Sequence, residues 1–427
     1  MDRLKKSKVI YRRSQAVIAG PSTFSKGPDQ FAHGITPYAL ASGKGAYVWD
    51  VDGNKYLDYI MGLGCLILGY RHPHVERAVR KQISKGFSFS LAHFLEIEVA
   101  EMLCKRIPCA EMVRFGKNGN DVTSAAVRLA RHVSGKEHIL FCGYHGWQDW
   151  YVCQTSMNGG IPSVIKEYSH RFKYNDLVDL SRLLDKYKDS TACIIMEPVS
   201  RVYPEAGYLE AVRELADKYK VILIFDEIVA GFRFHKGGYQ ALCGVTPDLA
   251  CFSKAMTNGL PLSALVGRKD IMSRCPEIYF SLTAAGETLS LAAARAVMEV
   301  FDRDNVAETI DKNGKRLMEG VEKLISLYEL KDLVSIEGFP CRNVMLFRDF
   351  KGTPAVDIRT YWIQELAKRN ILSNGSHMMS FAHKDKEISY TLGIYTEVLK
   401  LIKDGLSDGS LSAKLQCPPV KEPARAL

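Results

Sequence analysis

The sequence holds eleven cysteines but no C-x-x-C pair, and this spacing argues against zinc clamps and disulfide exchange. No stretch approaches the roughly 18 continuous apolar residues of a membrane span. The opening MDRLKKSKVIYRRSQAVIAG is basic, yet its apolar run falls short of the roughly 7 to 15 residues of a signal-peptide core. Repeats, low-complexity blocks and dense basic clusters are also missing. The 57 Lys and Arg against 48 Asp and Glu leave a net charge of +9 spread along the chain, an excess that a phosphorylated cofactor or substrate explains as well as a nucleic acid would. These absences predict a cytoplasmic globular protein without membrane or nucleic-acid partners. Cys142, Cys193 and Cys251, each inside an apolar run, are expected to be reduced core thiols.

Against that background, one segment stands out. VILIFDE at 221–227 is an apolar run that ends in Asp226 and Glu227, as expected of a strand buried on both faces of a helix-covered parallel sheet. Asp226 then falls at the strand's carboxyl end, where open α/β sheets bind ligands. A second run, Leu249 to Phe252, leads to Ser253 and Lys254. A carboxylate and an amine are thus delivered to one edge. Strand and helix patterns alternate through the whole middle of the chain, implying a mainly parallel sheet with right-handed crossovers.

Upstream, GAYVWDVDGNKYLDYI reads as a hairpin around Asp52-Gly53-Asn54, and the text from about Ile10 to Pro37 reads as loop. His72 and His74, beside a proline and without further ligands nearby, are expected to pack and hydrogen-bond, and no metal site is assigned. The segment MVRFGKNGNDVTSAAVRLARHVSG reads as strand, turn and amphipathic helix. Unpaired N–H groups at such a helix start favour an anion, which makes Asn118, Gly119 and Asn120 a candidate phosphate cradle, although either asparagine could simply cap the helix. Tyr144 and Glu197 each stand just past a further strand. Beyond about Asp302 the text turns to charged helices and short strands, with Ile358, Tyr361, Trp362 and Leu366 as a core stripe. LQCPPVKEPARAL reads as a tail. Three regions are predicted: residues 1–70, which join a small domain, a large domain at 71–305, and the rest of the small domain at 306–427.

A lysine and a carboxylate at one sheet edge suit pyridoxal 5'-phosphate, whose aldehyde a lysine holds as a Schiff base and whose ring nitrogen a carboxylate keeps protonated. An isolated Asp and Lys are more often surface features, so the surrounding text decides. FDEIVAGFR, then GVTPDL, then SKAMTNGLPLSALVG resembles the class III (omega) aminotransferases. VWDVDGN, LGYRHP, VRFGKNGNDVTSAAVRLAR and YHGW are similar to the branch around glutamate-1-semialdehyde aminomutase. The resemblance implies the α/β architecture of fold-type I transferases, in which a mainly parallel sheet with helices on both faces forms a large domain beside a smaller α+β one. It implies Lys254 as Schiff-base lysine, Asp226 as partner of the ring nitrogen, Ile228 against one face of the ring and Tyr144 stacked on it. Glu197 is implied to steer the cofactor's surroundings. Thr283, in preference to Thr288, is implied to reach the phosphate of the neighbouring subunit in a homodimer with shared active sites.

One departure bears on the substrate. Aminomutases of this kind carry a Ser-Pro-Val-Arg stretch whose arginine holds the substrate carboxylate, and here the nearest text is Ser25-Lys26-Gly27-Pro28. A point-charge lysine does not reproduce a bidentate clamp. The expected activity is therefore transfer of an amino group between an amino donor and a small aldehyde or ketone, a phosphorylated or sugar-derived one among the candidates. Intramolecular transfer by an aminomutase is the alternative, and a non-catalytic binding protein of the same fold is a distant third.

Overall fold

The computed structural model describes residues 3–421, and the chain divides into two compact units, Met1–His72 with Glu308–Leu427, and Pro73–Ala307. The first unit opens with helix α1, Lys5–Val17, where the sequence suggests a loop from Ile10. The helix has no acidic residue in its first turn and no side-chain cap on Leu4. Its start is fixed from elsewhere: the Asp52 carboxylate accepts the N–H groups of Lys6 and Ser7 at 2.8 and 2.9 Å, satisfying donors that a helix leaves open. That carboxylate stands in the predicted hairpin. Strands β1 (Leu40–Lys44), β2 (Tyr47–Asp50) and β3 (Lys55–Asp58) run antiparallel, and Gly53 turns at φ 93°. Past β3, four consecutive residues have positive φ: Met61 (47°), Gly62 (64°), Leu63 (64°) and Gly64 (86°).

The second unit carries the helices α2 (Pro73–Ile83) and α3 (Phe94–Arg106), then β4 (Met112–Gly116) and α4 (Gly119–Ser134). There follow β5 (His138–Cys142), β6 (Ser169–Arg171), α5 (Leu177–Lys186), β7 (Thr191–Met196), α6 (Tyr208–Tyr219) and β8 (Ile222–Asp226). Strands β9 (Leu249–Phe252) and β10 (Ser263–Gly267) precede α7 (Thr288–Arg303). The seven strands form one sheet in the order β4-β10-β9-β8-β7-β5-β6. Pairings from β6 through β9 are parallel. Strand β10 is reversed and antiparallel to both neighbours, because the short link from Phe252 to Ser263 cannot house the dozen or so residues that a parallel crossover needs. All of β7, β9 and β10 is buried. Helix α7 buries Ala292, Ala293, Ala294 and Ala296 among others, the composition of a helix packed on most of its sides.

The remainder of the chain adds α8 (Val306–Leu327), β11 (Val334–Phe339), β12 (Arg342–Phe347), α9 (Ala355–Lys368), β13 (Ile371–Leu372), β14 (Ser376–Met378) and α10 (Asp385–Ser407). Strand β13 pairs with β3, so the two ends of the chain share one four-stranded sheet. Ile358, Tyr361, Trp362 and Leu366 are buried on α9. The expected tail is held as far as it is described: Gln416 N–H donates to Gln364 and Val420 N–H to Thr360 Oγ1. Residues 422–427 lie outside the described part. Behind β14 sits a buried polar cluster in which His377 meets Asn343 Oδ1 at 2.7 Å and Tyr395 Oη at 2.6 Å.

Candidate active site

Strand register sets the site. Cys142 of β5 pairs with Met196 of β7, Met196 with Phe225 of β8, and Asp226 with Cys251 of β9. The residues just past these positions, Tyr144 and His145, Glu197, Asp226 and Lys254, therefore line one edge of the sheet at the carboxyl ends of four adjacent parallel strands, where such sheets open a crevice. Glu227 N–H donates to Cys251 O at 2.9 Å, which locks β8 to β9 beside the site.

Asp226 is 3% exposed, and its Oδ2 lies 2.8 Å from Nδ1 of a fully buried His145. His145 Nε2 lies 3.1 Å from the Cys142 carbonyl oxygen. Both ring nitrogens thus lie within hydrogen-bond reach of an oxygen. Asp226 Oδ1 accepts the Ile228 N–H at 3.1 Å. Glu227, next along the chain, takes the other side, as strand alternation requires. It accepts the N–H groups of Tyr239 and Gln240 at 2.6 and 3.0 Å, and burial pushes its carboxyl up to about 7. Of the two acids, only Asp226 meets the histidine.

Lys254 is half-buried and begins a short 3₁₀ turn, Lys254–Thr257. Its φ is 42°, a left-handed value that costs an ordinary side chain about 1 to 2 kcal/mol. Neighbouring contacts hold the turn, since Ser253 Oγ donates to Leu262 O at 2.8 Å and Thr257 Oγ1 to Leu260 O.

The turn at 118–120 is built around Asp121, whose carboxylate accepts the N–H groups of Lys117 (3.0 Å) and Asn118 (2.7 Å). Gly119 and Asn120 open the sixteen-residue α4, and helix geometry offers their N–H groups no intrahelical acceptor. A Cβ on Gly119 would stand 2.7 Å from Ile228 Cδ1. The turn and Ile228, two residues past the Asp226 strand, are therefore in contact. Gln148 Nε2 donates to Thr123 Oγ1 (2.9 Å) and His145 O (2.6 Å), tying α4 to the loop that carries His145. Tyr144 N–H donates to Glu197 Oε2 at 3.2 Å, and the Tyr144 ring, 40% exposed, stands edge-on to Tyr151. Trp150 lies against the His145 ring in the core, whereas Trp147 is 74% exposed.

Thr283 is exposed in the turn before α7, and its neighbours Ser281 and Leu282 line a small cleft of about 220 Å³ with Asn120 and Asp121. Thr288 is fully buried and donates to the carbonyls of Gly86 and Phe87. Lys117 Nζ pairs with Glu287 at 3.0 Å, and Glu287 caps α7 through Leu289 and Ser290 N–H. His74 meets Glu299 at 2.6 Å.

The sequence pattern of the family Aminotransferase class-III matches residues 30–341. The chain belongs to the class-III aminotransferases. A 3-aminobutyryl-CoA aminotransferase of Cloacimonas acidaminovorans is 36% identical over 94% of this chain and 98% of its own length. A glutamate-1-semialdehyde 2,1-aminomutase of Syntrophomonas wolfei is 35% identical over 86% of this chain and 92% of its own. Among solved structures, the FumI protein of Sphingopyxis sp. MTA144 superposes with a TM-score of 0.89 at 24% identity over 97% of this chain and 99% of that one, and an omega-transaminase from Sphaerobacter thermophilus with 0.82 at 24% over 93% and 98%. These two establish the fold-type I architecture.

The enzyme is a pyridoxal-phosphate-dependent aminotransferase. The site fits that cofactor: a buried carboxylate at the sheet edge for the ring nitrogen, a lysine on the adjacent strand end, and a helix start whose glycine leaves no room for a side chain beside Ile228. Sequence reasoning brought Asp226, Ile228, Gly119 and Glu197 to this edge but passed over His145. Its signal was present, a histidine between an aromatic residue and a glycine directly after a strand.

Proposed function

We propose that the enzyme carries out a two-substrate transamination between an external amino donor and a small aldehyde or ketone, a phosphorylated or sugar-derived one among the candidates. The observation that carries the reading is the Asp226–His145 pair set one strand from Lys254. Pyridoxal phosphate supplies an electron sink for charge developed at the substrate carbon. His145, 2.8 Å from Asp226, would position the carboxylate that partners the ring nitrogen. Lys254 would hold the cofactor aldehyde and, when freed from it, would carry the proton between the substrate and cofactor carbons. Tyr144 and Ile228 would pack against the ring, and Glu197 would steer its surroundings. Gly119 and Asn120 N–H groups, with Asn118 at the cap, would receive the phosphate.

Support for an external donor over intramolecular transfer comes from Ser25-Lys26-Gly27-Pro28, which offers no arginine fork for a substrate carboxylate. The relative at 36% identity is itself named an aminotransferase. A cytoplasmic homodimer in which Thr283 reaches the partner's phosphate completes the proposal, and isolated protomers would be inactive. The test is a half-reaction. An amino donor alone should change the cofactor absorbance stoichiometrically, with Lys254→Ala inert. Efficient turnover of glutamate-1-semialdehyde without any donor would instead make the enzyme an aminomutase.

A further inference from the structure

Lys117 stands directly before the turn at 118–120, and its side chain is withdrawn from water, unlike most lysines. Its Nζ lies 3.0 Å from Glu287 Oε2 and 3.4 Å from Ser290 Oγ. The lysine and glutamate side chains are only 14% and 17% exposed. An ion pair desolvated to this extent adds little stability over apolar side chains of the same size. What it adds is a fixed geometry, and the two ends it joins show where that geometry is needed.

On the α4 side, the Asp121 carboxylate accepts the N–H groups of Lys117 and Asn118, which sets the backbone entering Gly119 and Asn120. On the other side, Glu287 is the N-cap of α7, and its carboxylate accepts the Leu289 and Ser290 N–H groups and the Ser290 hydroxyl. Burial works to raise the Glu287 carboxyl, but Ser290, Lys117 and the Leu289 N–H outweigh it and hold the group below its ordinary pKa. The start of α7 is itself anchored. Thr288 N–H donates to the Phe87 carbonyl at 2.9 Å, and a Cβ on Gly286 would stand 2.6 Å from Glu96 Oε1. Lys117 thus ties the turn to a fixed helix end 170 residues away in sequence.

We propose that Lys117 is a positioning residue for the cofactor phosphate, holding the 118–120 turn through Glu287 in the shape whose N–H groups converge on an anion. The inference rests on the reading of that turn as the phosphate cradle. Glu287 offsets the lysine's charge, so the contribution is geometric and not an attraction for the phosphate.

The experiment compares the binding of pyridoxal phosphate and of pyridoxal, which lacks the phosphate, to the full-length enzyme freed of cofactor. The dissociation constant of pyridoxal divided by that of pyridoxal phosphate isolates the share of the phosphate, because a general loosening of the fold weakens both ligands alike. Lys117→Met with Glu287→Gln removes both charges and should lower this ratio about tenfold, while the urea midpoint moves little. Lys117→Arg, which can keep the ion pair, should retain the wild-type ratio. Glu287→Gln alone leaves the lysine free to reach water, so it reads the same loss should the double variant fold poorly. Its sign is decisive: a higher ratio would mean that the freed charge attracts the phosphate, and the geometric role would be overturned. Equal weakening of both ligands, or an unchanged ratio in the double variant, overturns it as well. Gly119→Ala separates this proposal from the reading beneath it. A ratio that falls with Gly119→Ala but not with the charge removal refutes Lys117 alone, and one unmoved by Gly119→Ala refutes the phosphate turn and Lys117 together.

Discussion

Asp226→Asn separates the electrostatic duty of this residue from its structural one, because the amide can satisfy every contact that the carboxylate makes. Asn Oδ1 can accept the Ile228 N–H, now donated to Asp226 at 3.1 Å. Asn Nδ2 can donate to a neutral His145 that keeps its Nε2 proton on the Cys142 carbonyl, 3.1 Å away. The fold should therefore lose no more than about 1 kcal/mol. Asp226→Ala, by contrast, strands a buried histidine nitrogen and a buried N–H together, at a cost of about 2 to 5 kcal/mol. What the asparagine removes is the negative charge. An opposite charge at contact moves a partner's pKa by about 1 to 3 units, so the rate of amino transfer should fall about tenfold to a thousandfold. The assay follows cofactor absorbance in a single half-reaction, alongside urea unfolding. A stable Asp226→Asn enzyme with a wild-type rate would refute the assignment, and so would an asparagine variant as unstable as the alanine one.

Three further outcomes are expected. Gly119→Ala places a methyl group 2.7 Å from Ile228 Cδ1, an overpacking of about 1 to 3 kcal/mol; cofactor should leave about tenfold more readily on dialysis, and unaltered retention would separate this turn from the phosphate. Thr283→Ala should loosen the cofactor with little change in stability, whereas Thr288→Ala should lower stability by about 1 to 2 kcal/mol without loosening it; a swap of these two outcomes would exchange their roles. Burial pushes His377 down from 6.5 to about 3, so its contribution is complete above pH 6.5 and drains away as pH falls toward 3. The slope is about 1.4 kcal/mol per pH unit across that interval. Urea midpoints measured at pH 7 and pH 5 should therefore diverge in the wild type and converge in His377→Gln.

The second unit was largely legible because its central strands, β7 to β10, are buried on both faces and most of its helices on one, which writes uninterrupted apolar runs beside periodic ones. Asp226 and Lys254 announced themselves as polar residues at the ends of such runs. The reversed direction of β10 was hidden, since an apolar run reads alike both ways and only the length of its link tells the direction. His145 was passed over because its meaning comes from a carboxylate that is distant in sequence. The part of helix α1 from Ile10 onward was read as loop for a related reason: its cap lies in a hairpin tens of residues downstream, out of reach of any window that tests periodicity and local start signals.

That remote cap orders events during synthesis. Helix α1 leaves the ribosome before Asp52, so the carboxylate that holds the N–H groups of Lys6 and Ser7 arrives only once the hairpin has emerged. An Asp52→Ala chain would still build the transamination sheet while Lys5–Val17 stayed open to trypsin, whose preferred sites that helix supplies in abundance.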